Sequence, residues 1–376
     1  ALLSLAGIMP CALALGGLFV GLVGLADKGG TGAPVARIYG IESIGSALAG
    51  TILTIGENVC GMDVKSKMKN GRVTGSPELE RRVKLFQDWQ RDGYGAIVLQ
   101  ANVEDTRLGA QEYGIQKLGV EIVELKWGQG AKDIGGEVKI RDLEKAQLLK
   151  KRGYVVLPDP LDPVRIEEFK TGVFTEFERH SRVGMVSEES FVARVEELRN
   201  AGAKYVTLKT GAYRPADLAR AVKFSSLAKI DYLTVDGAGG GTGMSPWRMM
   251  NEWGVPTVEL WSLLREYCDR LAQKGQYTPD VALAGGFTME DQMFKGLALG
   301  APHCKAIVMS RAPLAAAMVG KTIGKALDNG HLPIFLERFG RTRESVFVTA
   351  EELKREYGSD YAKIPAGAIG LYTYYE

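Results

Sequence analysis

The most informative stretch of the chain is rich in glycine and reads Asp236-Gly237-Ala238-Gly239-Gly240-Gly241-Thr242-Gly243-Met244-Ser245-Pro246. It follows the apolar run 232–235, which is typical of a buried strand, and it ends in a Ser-Pro pair that favours a helix start. Glycines let a loop present bare backbone N–H groups, and a following helix adds the positive end of its dipole. The spacing does not fit the G-x-G-x-x-G fingerprint, so the pattern disfavours a Rossmann fold. Between a flexible turn and a cofactor or anion site, we favour the second.

Working outward from this stretch, similar apolar runs recur along the chain, separated by segments with helical periodicity. They lie at residues 18–24, 51–55, 96–100, 120–126, 205–208, 232–235, 281–284 and 306–309. Eight strands that alternate with helices predict the α/β class and a TIM (β/α)8 barrel. The polar clusters follow the carboxyl ends of these strands, which is the face where such barrels carry their chemistry.

The ends of the last two strands carry Gly285-Gly286 and Ser310-Arg311. Barrels commonly bind a phosphate at this place, so we expect a phosphate group there. The glycine-rich stretch then forms one wall of the same cofactor site, with Asp236 and Gly237 nearest the cofactor.

The domain organisation follows from the same pattern over 376 residues. We predict an apolar N-terminal segment at residues 1–16, the barrel at 17–330 and a C-terminal helical extension at 331–376. Residues 155–157 look like a short strand outside the barrel, and the proline-rich residues 158–184 predict one long inserted loop. Residues 65–72 are basic and predict a solvated surface loop.

The first 26 residues contain no charged side chain, a length that could span a bilayer. Against a membrane span, Pro10 interrupts the run, glycine is frequent, and no Lys or Arg precedes it. A buried first strand over residues 18–24 is therefore favoured, and membrane contact through residues 1–26 is the alternative.

Composition excludes several classes of function. Lys and Arg number 47 against 45 for Asp and Glu, a net charge of +2, which gives no electrostatic case for nucleic acid. The four cysteines are scattered without metal-binding spacing and there are only three histidines, so a metal site is not expected. Absence of a disulfide pattern suits a reducing compartment, and we expect a cytoplasmic protein.

One predicted strand contains two charged residues, although a buried strand is expected to be apolar. Alternation places Glu124 and Lys126 on the same face of the strand 120–126. Inside a core, such charges must be paired or used. Either the two side chains form a buried ion pair, or they belong to the functional site.

Four segments together resemble one known family. They are L-K-W-G-Q-G-A-K at 125–132, Gly135-Gly136, the glycine-rich stretch at 236–246 and Ala284-Gly285-Gly286. In this order they resemble the FMN-binding synthase domain of glutamate synthase and its short stand-alone relatives, over roughly residues 17–316. The resemblance implies a TIM barrel that holds FMN and reductively aminates 2-oxoglutarate, with hydride passing between the flavin and an imine.

The resemblance also implies roles for substrate-binding residues. Gln129 and Lys132 match the pair that holds the substrate carboxylate, and Glu57 matches the acid of the family's G-E-G-G segment. Arg152 stands where the family has an arginine for the other end of the substrate. A dicarboxylate suits two cations, and a guanidinium offers a bidentate grip.

For the cofactor, Lys209 resembles the lysine beside the flavin N1 and C2 carbonyl, where a positive charge stabilises reduced flavin. We therefore count Lys209 with Glu57, Gln129 and Lys132 as the candidate catalytic residues. Gln100 resembles a glutamine that hydrogen-bonds the isoalloxazine. The remaining candidate FMN contacts are Asp236, Gly237, Gly240, Gly241, Thr242, Gly285, Gly286, Ser310 and Arg311.

The chain departs from the family in three places. The family's G-E-G-G is Gly56-Glu57-Asn58-Val59 here, no cysteine follows the last strand, and nothing resembles a glutaminase domain. We therefore expect no iron–sulfur cluster ligated by this chain, and we expect an oligomer that depends on separate electron-donor or glutaminase subunits.

Two other interpretations remain open. One is a flavin-bearing electron-transfer or scaffold subunit without its own amination activity, attached to a membrane through residues 1–26. The other is a different FMN barrel, such as a 2-hydroxy-acid oxidase or an isopentenyl-diphosphate-isomerase-like enzyme. The oxidase needs a histidine base beside an arginine near the end of the barrel. His180 beside Arg179 lies in the wrong part of the chain for that role.

Overall fold

The computed structural model describes residues 52–89, 95–127, 137–181, 186–211, 214–238, 252, 254–309 and 311–373. Two compact units divide the chain. The first comprises the residues up to Gly286 together with Phe294–Ile307, and the second comprises Phe287–Met293 and Val308–Glu376. The first unit holds the sheets and most of the helices, and the second is mainly helical.

Strands and helices are numbered in chain order. The strands are β1 (Ile52–Ile55), β2 (Lys67–Lys69), β3 (Arg72–Gly75), β4 (Ala96–Ala101), β5 (Ile122–Lys126), β6 (Glu137–Ile140), β7 (Val155–Leu157), β8 (Phe177–His180), β9 (Tyr205–Thr210), β10 (Tyr232–Asp236), β11 (Asp280–Ala284) and β12 (Cys304–Val308). The helices are α1 (Pro77–Trp89), α2 (Val103–Leu108), α3 (Ala110–Leu118), α4 (Leu143–Lys151), α5 (Pro163–Lys170), α6 (Glu188–Asn200), α7 (Pro215–Leu227), α8 (Thr257–Gln273), α9 (Glu290–Gly300), α10 (Arg311–Asp328), α11 (Arg343–Val346), α12 (Ala350–Tyr357) and α13 (Ala366–Thr373). Two 3-10 helices, Ile334–Phe339 and Gly358–Lys363, complete the C-terminal part.

The main sheet has seven strands in the order β1-β4-β5-β9-β10-β11-β12. From β1 to β11, neighbouring strands of this sheet pair in parallel. Each strand of this sheet therefore lies beside the next main-sheet strand along the chain. This is the singly wound order of a β/α barrel and not the reversing order of a doubly wound sheet. These are seven of the eight predicted strands; the first, at 18–24, lies outside the described residues. The predicted TIM-barrel class is confirmed.

The strand β5 shows how alternation separates the two faces of this sheet. Val123 and Leu125 are buried, and the next residue on their face, Trp127, packs edge-on against Phe191 of α6 and Phe224 of α7. Hydrophobic side chains therefore cover the face that meets the helices. The intervening residues of β5 lie on the inner face, where the polar side chains collect.

The inserted segment between β5 and β9 is not the irregular loop that its prolines suggested. It contains α4, α5 and a three-stranded antiparallel sheet in the order β6-β8-β7. Pro163 occupies the first turn of α5, where its missing N–H costs nothing, and the Asp162 carboxylate accepts from the Val164 N–H at 2.9 Å. Proline here starts a helix, so the prediction of a long loop was wrong for the described residues.

The basic segment at 65–72 is likewise structured. It forms the antiparallel hairpin β2-β3, whose turn residues Asn70 and Gly71 both have positive φ, 51° and 73°. Asn-Gly is the strongest short hairpin signal because both residues tolerate this backbone region. The prediction of a surface loop at residues 65–72 was therefore wrong.

The second unit is organised around the contact between α10 and α13. A Cβ on Gly324 would lie 2.0 Å from the Ala366 carbonyl oxygen, and one on Gly370 would lie 2.0 Å from that of Gly320. The two helices therefore approach so closely that only glycine fits at these points. The Asp328 carboxylate, at the end of α10, accepts from the Ala366 N–H at 2.9 Å and fixes the start of α13.

No helix in the described part of the chain is both long enough and apolar enough to cross a membrane.

Candidate functional site

Two lysine–carboxylate pairs lie at the carboxyl ends of the main-sheet strands. Lys126 on β5 and Lys209 on β9 are opposite each other in the strand register. Lys126 Nζ lies 2.6 Å from Glu57 Oε2, just beyond β1, and Lys209 Nζ lies 3.3 Å from Asp236 Oδ2 at the end of β10. Strands in a sheet lie about 4.8 Å apart, so the two ammonium groups would repel each other without these carboxylates.

All four side chains are only partly accessible. The exposed fractions are 12% for Lys126 and for Glu57, 16% for Lys209 and 21% for Asp236. Charges this far from solvent act through a lower effective dielectric than surface charges do. The edge therefore offers two adjacent cations to an anionic ligand, each beside a carboxylate.

A buried polar layer lies beneath these pairs. Glu124 is 6% exposed and accepts from Gln100 Nε2 at 2.5 Å, Thr207 Oγ1 at 3.3 Å and Thr234 Oγ1 at 3.4 Å. Burial raises the pKa of the Glu124 carboxyl, while the Gln100 bond and the charge of Lys209 oppose the rise. Lys126 pairs with Glu57 and not with Glu124, so the ion pair considered between the two β5 residues was wrong.

Gln100, assigned to the isoalloxazine by resemblance, is 7% exposed and lies on β4 beside Glu124. Its amide NH2 group donates to the Glu124 carboxyl, so the orientation of the amide is set by a buried neighbour. Its role toward a flavin stays a prediction.

The loop after β1 holds Glu57 in place through its neighbour Asn58. Asn58 has φ 69°, a left-handed conformation that favours glycine and tolerates asparagine. Its N–H donates to Asp105 Oδ2 at 2.8 Å, while its Oδ1 accepts from Asn102 Nδ2 at 3.3 Å and Arg179 Nη2 at 3.0 Å. Asn58 thus adopts a backbone conformation that glycine also allows, and its side chain adds an anchor.

Sequence reasoning missed the partners of Asn58. Asn102 and Asp105 form a capping box at the start of α2, and the spacing Asn-x-x-Asp could have revealed it. Arg179 had no such signal. It is fully buried in β8 of the inserted sheet, donates to the Ser181 hydroxyl and lies 5.2 Å from the centroid of the Tyr154 ring.

Arg152 also contacts the loop after β1. Its guanidinium donates to four backbone carbonyls, those of Gly61 at 2.8 Å, Asp63 at 2.7 Å, Val64 at 3.4 Å and Ser66 at 2.8 Å. Burial lowers the pKa of this guanidinium. The group is thereby engaged with the protein, and its assignment to a substrate carboxylate stays a prediction.

The first residues of the glycine-rich stretch make a tight junction between β10 and α8. A Cβ on Gly237 would lie 2.3 Å from Thr257 Oγ1 and 2.5 Å from its Cα. The Gly237 N–H donates to the Ala284 carbonyl at 3.0 Å, which joins the ends of β10 and β11. Close packing is therefore sufficient reason for glycine at 237, whereas Gly286 has no atom within 4 Å of a Cβ and is open.

Several predicted site residues lie outside the described residues. They are Gln129, Lys132, Gly240, Gly241, Thr242 and Ser310. Arg311 is the first residue of α10 and belongs to the second unit. In the described ranges, no group of three or more His, Cys, Asp or Glu side chains could hold a metal ion.

Comparison with known families gives one match. Residues 179–319 match a family described as the conserved region in glutamate synthase. This segment includes Arg179, Lys209, the Asp236 stretch and Gly285-Gly286, so the resemblance found in the sequence is confirmed over these residues. With the barrel topology, it supports an enzyme of the flavin oxidoreductase type. No curated protein sequence matches the chain.

Several solved structures resemble the chain weakly. They include a putative deoxyribose-phosphate aldolase from Coccidioides immitis, with 14% identity, covering 72% of this chain and 83% of its own, at a TM-score of 0.31. Another is a mutant of FabK from Thermotoga maritima, with 13% identity, covering 79% of this chain and 80% of its own, at a TM-score of 0.33. TM-scores this low carry no argument about fold or function.

Proposed function

We propose that this chain, whose residues 179–319 match the conserved region in glutamate synthase, is an FMN-dependent oxidoreductase that reductively aminates a 2-oxo acid resembling 2-oxoglutarate. The observation that carries the proposal is the pair of adjacent lysines at the carboxyl edge of the barrel, each held beside a carboxylate. Lys209 and Asp236 lie within the matched segment, and Lys126 and Glu57 lie outside it.

The residues on this edge fit FMN. Bound reduced FMN would supply the hydride for a carbon–nitrogen double bond. Lys209 is the cation proposed to stabilise negative charge on the reduced ring. Gln100 is a proposed hydrogen-bond partner of the ring. Asp236 and Gly237 are proposed to line the cofactor site beside it. The open backbone at Gly286 suits close approach of a phosphate, since no side chain would block its N–H.

For the substrate, we propose that Lys126 joins Gln129 and Lys132 in holding a carboxylate. Lys126 Nζ is already paired with Glu57 Oε2, which fixes the position of the ammonium group. A substrate carboxylate would bind to the same ammonium group in that fixed position. Glu57 Oε2 is the atom proposed to receive or return a proton at the substrate nitrogen. Arg152 is proposed to act at the other end of the substrate.

Separate subunits are proposed to supply electrons and ammonia, within an oligomer. The basis is the proposed reaction itself, which consumes a reductant and ammonia in each cycle.

The deciding experiment is anaerobic stopped-flow kinetics of the FMN-loaded protein. After chemical reduction, 2-oxoglutarate with ammonia should reoxidise the flavin, and Lys209→Met should slow this reaction on the order of a hundredfold because a transition-state charge loses its partner. The matched control is Lys223→Met, which removes a surface lysine of α7 paired with Glu188 of α6 and should react like the wild type.

Failure to take up FMN would contradict the whole proposal. Uptake of FMN without reoxidation by any 2-oxo acid plus ammonia would reject the amination and favour an electron-transfer or scaffold subunit. Equal rates for Lys209→Met and Lys223→Met would remove Lys209 from the reaction.

A further inference from the structure

We infer that the inserted segment between β5 and β9 positions the proposed acid Glu57, by clamping the loop after β1 through Arg179, Tyr154 and Arg152. The inference rests on the proposed function for the role of Glu57, but the clamp itself is defined by contacts alone. It makes Asn58, the residue that departs from the family's G-E-G-G segment, the anchor of the clamp.

The first contact point is Asn58 itself. Its Oδ1 accepts two bonds, one from Arg179 Nη2 at 3.0 Å and one from Asn102 Nδ2 at 3.3 Å. Arg179 comes from β8, 121 residues further along the chain. A charged donor makes a stronger bond than a neutral one, so the inserted sheet holds the residue next to Glu57 firmly.

Arg179 is in turn held from several sides. Its guanidinium lies over the Tyr154 ring at 5.2 Å, and Arg107 approaches the same ring at 5.5 Å. Arg107 pairs with the fully buried Glu104 at 3.1 Å. A buried, stacked guanidinium has few alternative rotamers, so it defines the position of Asn58 sharply.

The second contact point begins three residues after Asn58. A Cβ on Gly61 would lie 1.6 Å from Tyr154 Oη, so the tyrosine rests directly on the loop backbone. Arg152 Nη1 donates to the carbonyls of Gly61 and Asp63. Tyr154 and Arg152 both belong to the inserted segment. The segment therefore contacts the loop at Asn58 and again from Gly61 onward.

The result of the clamp is the short ion pair above it. Glu57 precedes the anchored Asn58 directly, and its Oε2 lies 2.6 Å from Lys126 Nζ across the intervening strand β4. A loop free to move would not hold a carboxylate at one fixed atom of a lysine. Through these contacts the inserted segment acts on Glu57 as a positioning element.

The test combines hydrogen exchange with kinetics, using Asn58→Gly as the central variant. Glycine keeps the positive φ and the N–H bond to Asp105 but loses both bonds to Oδ1. Amides of residues 56–66, among them the Met62 N–H that donates to the Asn58 carbonyl, should exchange at least about tenfold faster, as loss of a bond to a charged group implies. Exchange in α8 serves as the internal control for an intact fold.

Arg179→Met should accelerate the same amides, and the double variant should add little to the change in Asn58→Gly, because both substitutions remove the bond between Arg179 and Asn58. Arg179→Lys should restore part of the protection. In the FMN-loaded protein, Asn58→Gly should lower the rate of flavin reoxidation while FMN affinity stays unchanged.

Unchanged exchange at 56–66 in Asn58→Gly would overturn the clamp. Faster exchange with an unchanged reoxidation rate would overturn its positioning role. If Arg179→Met does not fold, the glycine variant alone decides. The hydrogen-exchange measurement needs no flavin, so it can be interpreted even if the proposed amination is rejected. The clamp and the proposed function can therefore be contradicted independently.

Discussion

At the scale of single residues, the buried carboxyl of Asp105 has a shifted pKa, and the effect of this shift on stability can be measured. It is 2% exposed, and burial raises its pKa to about 7, although N–H groups of Asn58 and Asn102 and the charge of Arg179 oppose the rise. The ionisable groups that face it are Glu57, Cys60, Tyr154 and Arg179.

The folded protein therefore keeps the proton of Asp105 at pH values where the unfolded chain, with an ordinary pKa of 3.8, has lost it. Stability from this group is complete below that value and is lost as pH rises toward about 7. We expect the free energy of unfolding to fall by up to about 2 kcal/mol between about pH 5 and pH 7, and Asp105→Asn to flatten this slope.

Urea denaturation across this pH range measures the slope. Asp88→Asn, which changes an exposed carboxylate on α1, is the control and should keep the wild-type slope. A pH dependence of Asp105→Asn that is as steep as that of the wild type would show that another group is responsible.

At the scale of elements, α13 offers two glycines with opposite surroundings. A Cβ on Gly370 would meet the Gly320 carbonyl oxygen at 2.0 Å, whereas one on Gly367 would lie 3.2 Å from Lys325 Cγ and 3.3 Å from the Lys321 carbonyl oxygen, contacts that a shift of a few tenths of an ångström relieves. Gly370→Ala should therefore lower the free energy of unfolding by about 1–3 kcal/mol through overpacking. Gly367→Ala should be neutral, or stabilising by less than about 1 kcal/mol through helix propensity.

Chemical denaturation followed by circular dichroism compares the two variants. Because both substitutions lie on one helix, the difference between them isolates the contact with α10. Equal stabilities would mean that α10 and α13 do not approach as closely as their backbones indicate.

Elements also show where local signals are sufficient. The seven strands of the main sheet lie within a few residues of their predicted positions, because apolar periodicity is a local property. Of the inserted sheet, the sequence predicts only the strand at 155–157, which is β7. It predicts loops in place of the hairpin β2-β3 and of residues 158–184, because charged and proline-rich segments are typical of loops. The Asn70-Gly71 pair and the Asp162-Pro163 pair carried the correct local information.

At the scale of the whole molecule, a cofactor that binds only the folded state must stabilise it. FMN at about 100 times its dissociation constant should raise the free energy of unfolding by about 2.7 kcal/mol. The gain should be smaller in Lys209→Met, which removes a proposed partner of the ring.

Thermal denaturation with increasing FMN measures this effect, and riboflavin, which lacks the phosphate, is the matched ligand control. Equal shifts with FMN and riboflavin would contradict a phosphate site at Gly286. No shift with either would contradict flavin binding by the barrel.

The sequence by itself determined the class of fold and the order of the main-sheet strands, because burial of a parallel strand leaves an apolar run whose carboxyl end is polar. It also determined the family resemblance and named Glu57, Gln100 and Lys209. Only the tertiary structure decided which charges meet. Glu57 and Lys126 are 69 residues apart and Asn58 and Arg179 are 121 apart, so their contact depends on sheet order and on how the inserted segment packs. Local periodicity does not show which residues far apart in the sequence will meet, whereas the fold brings both pairs to one edge of the barrel.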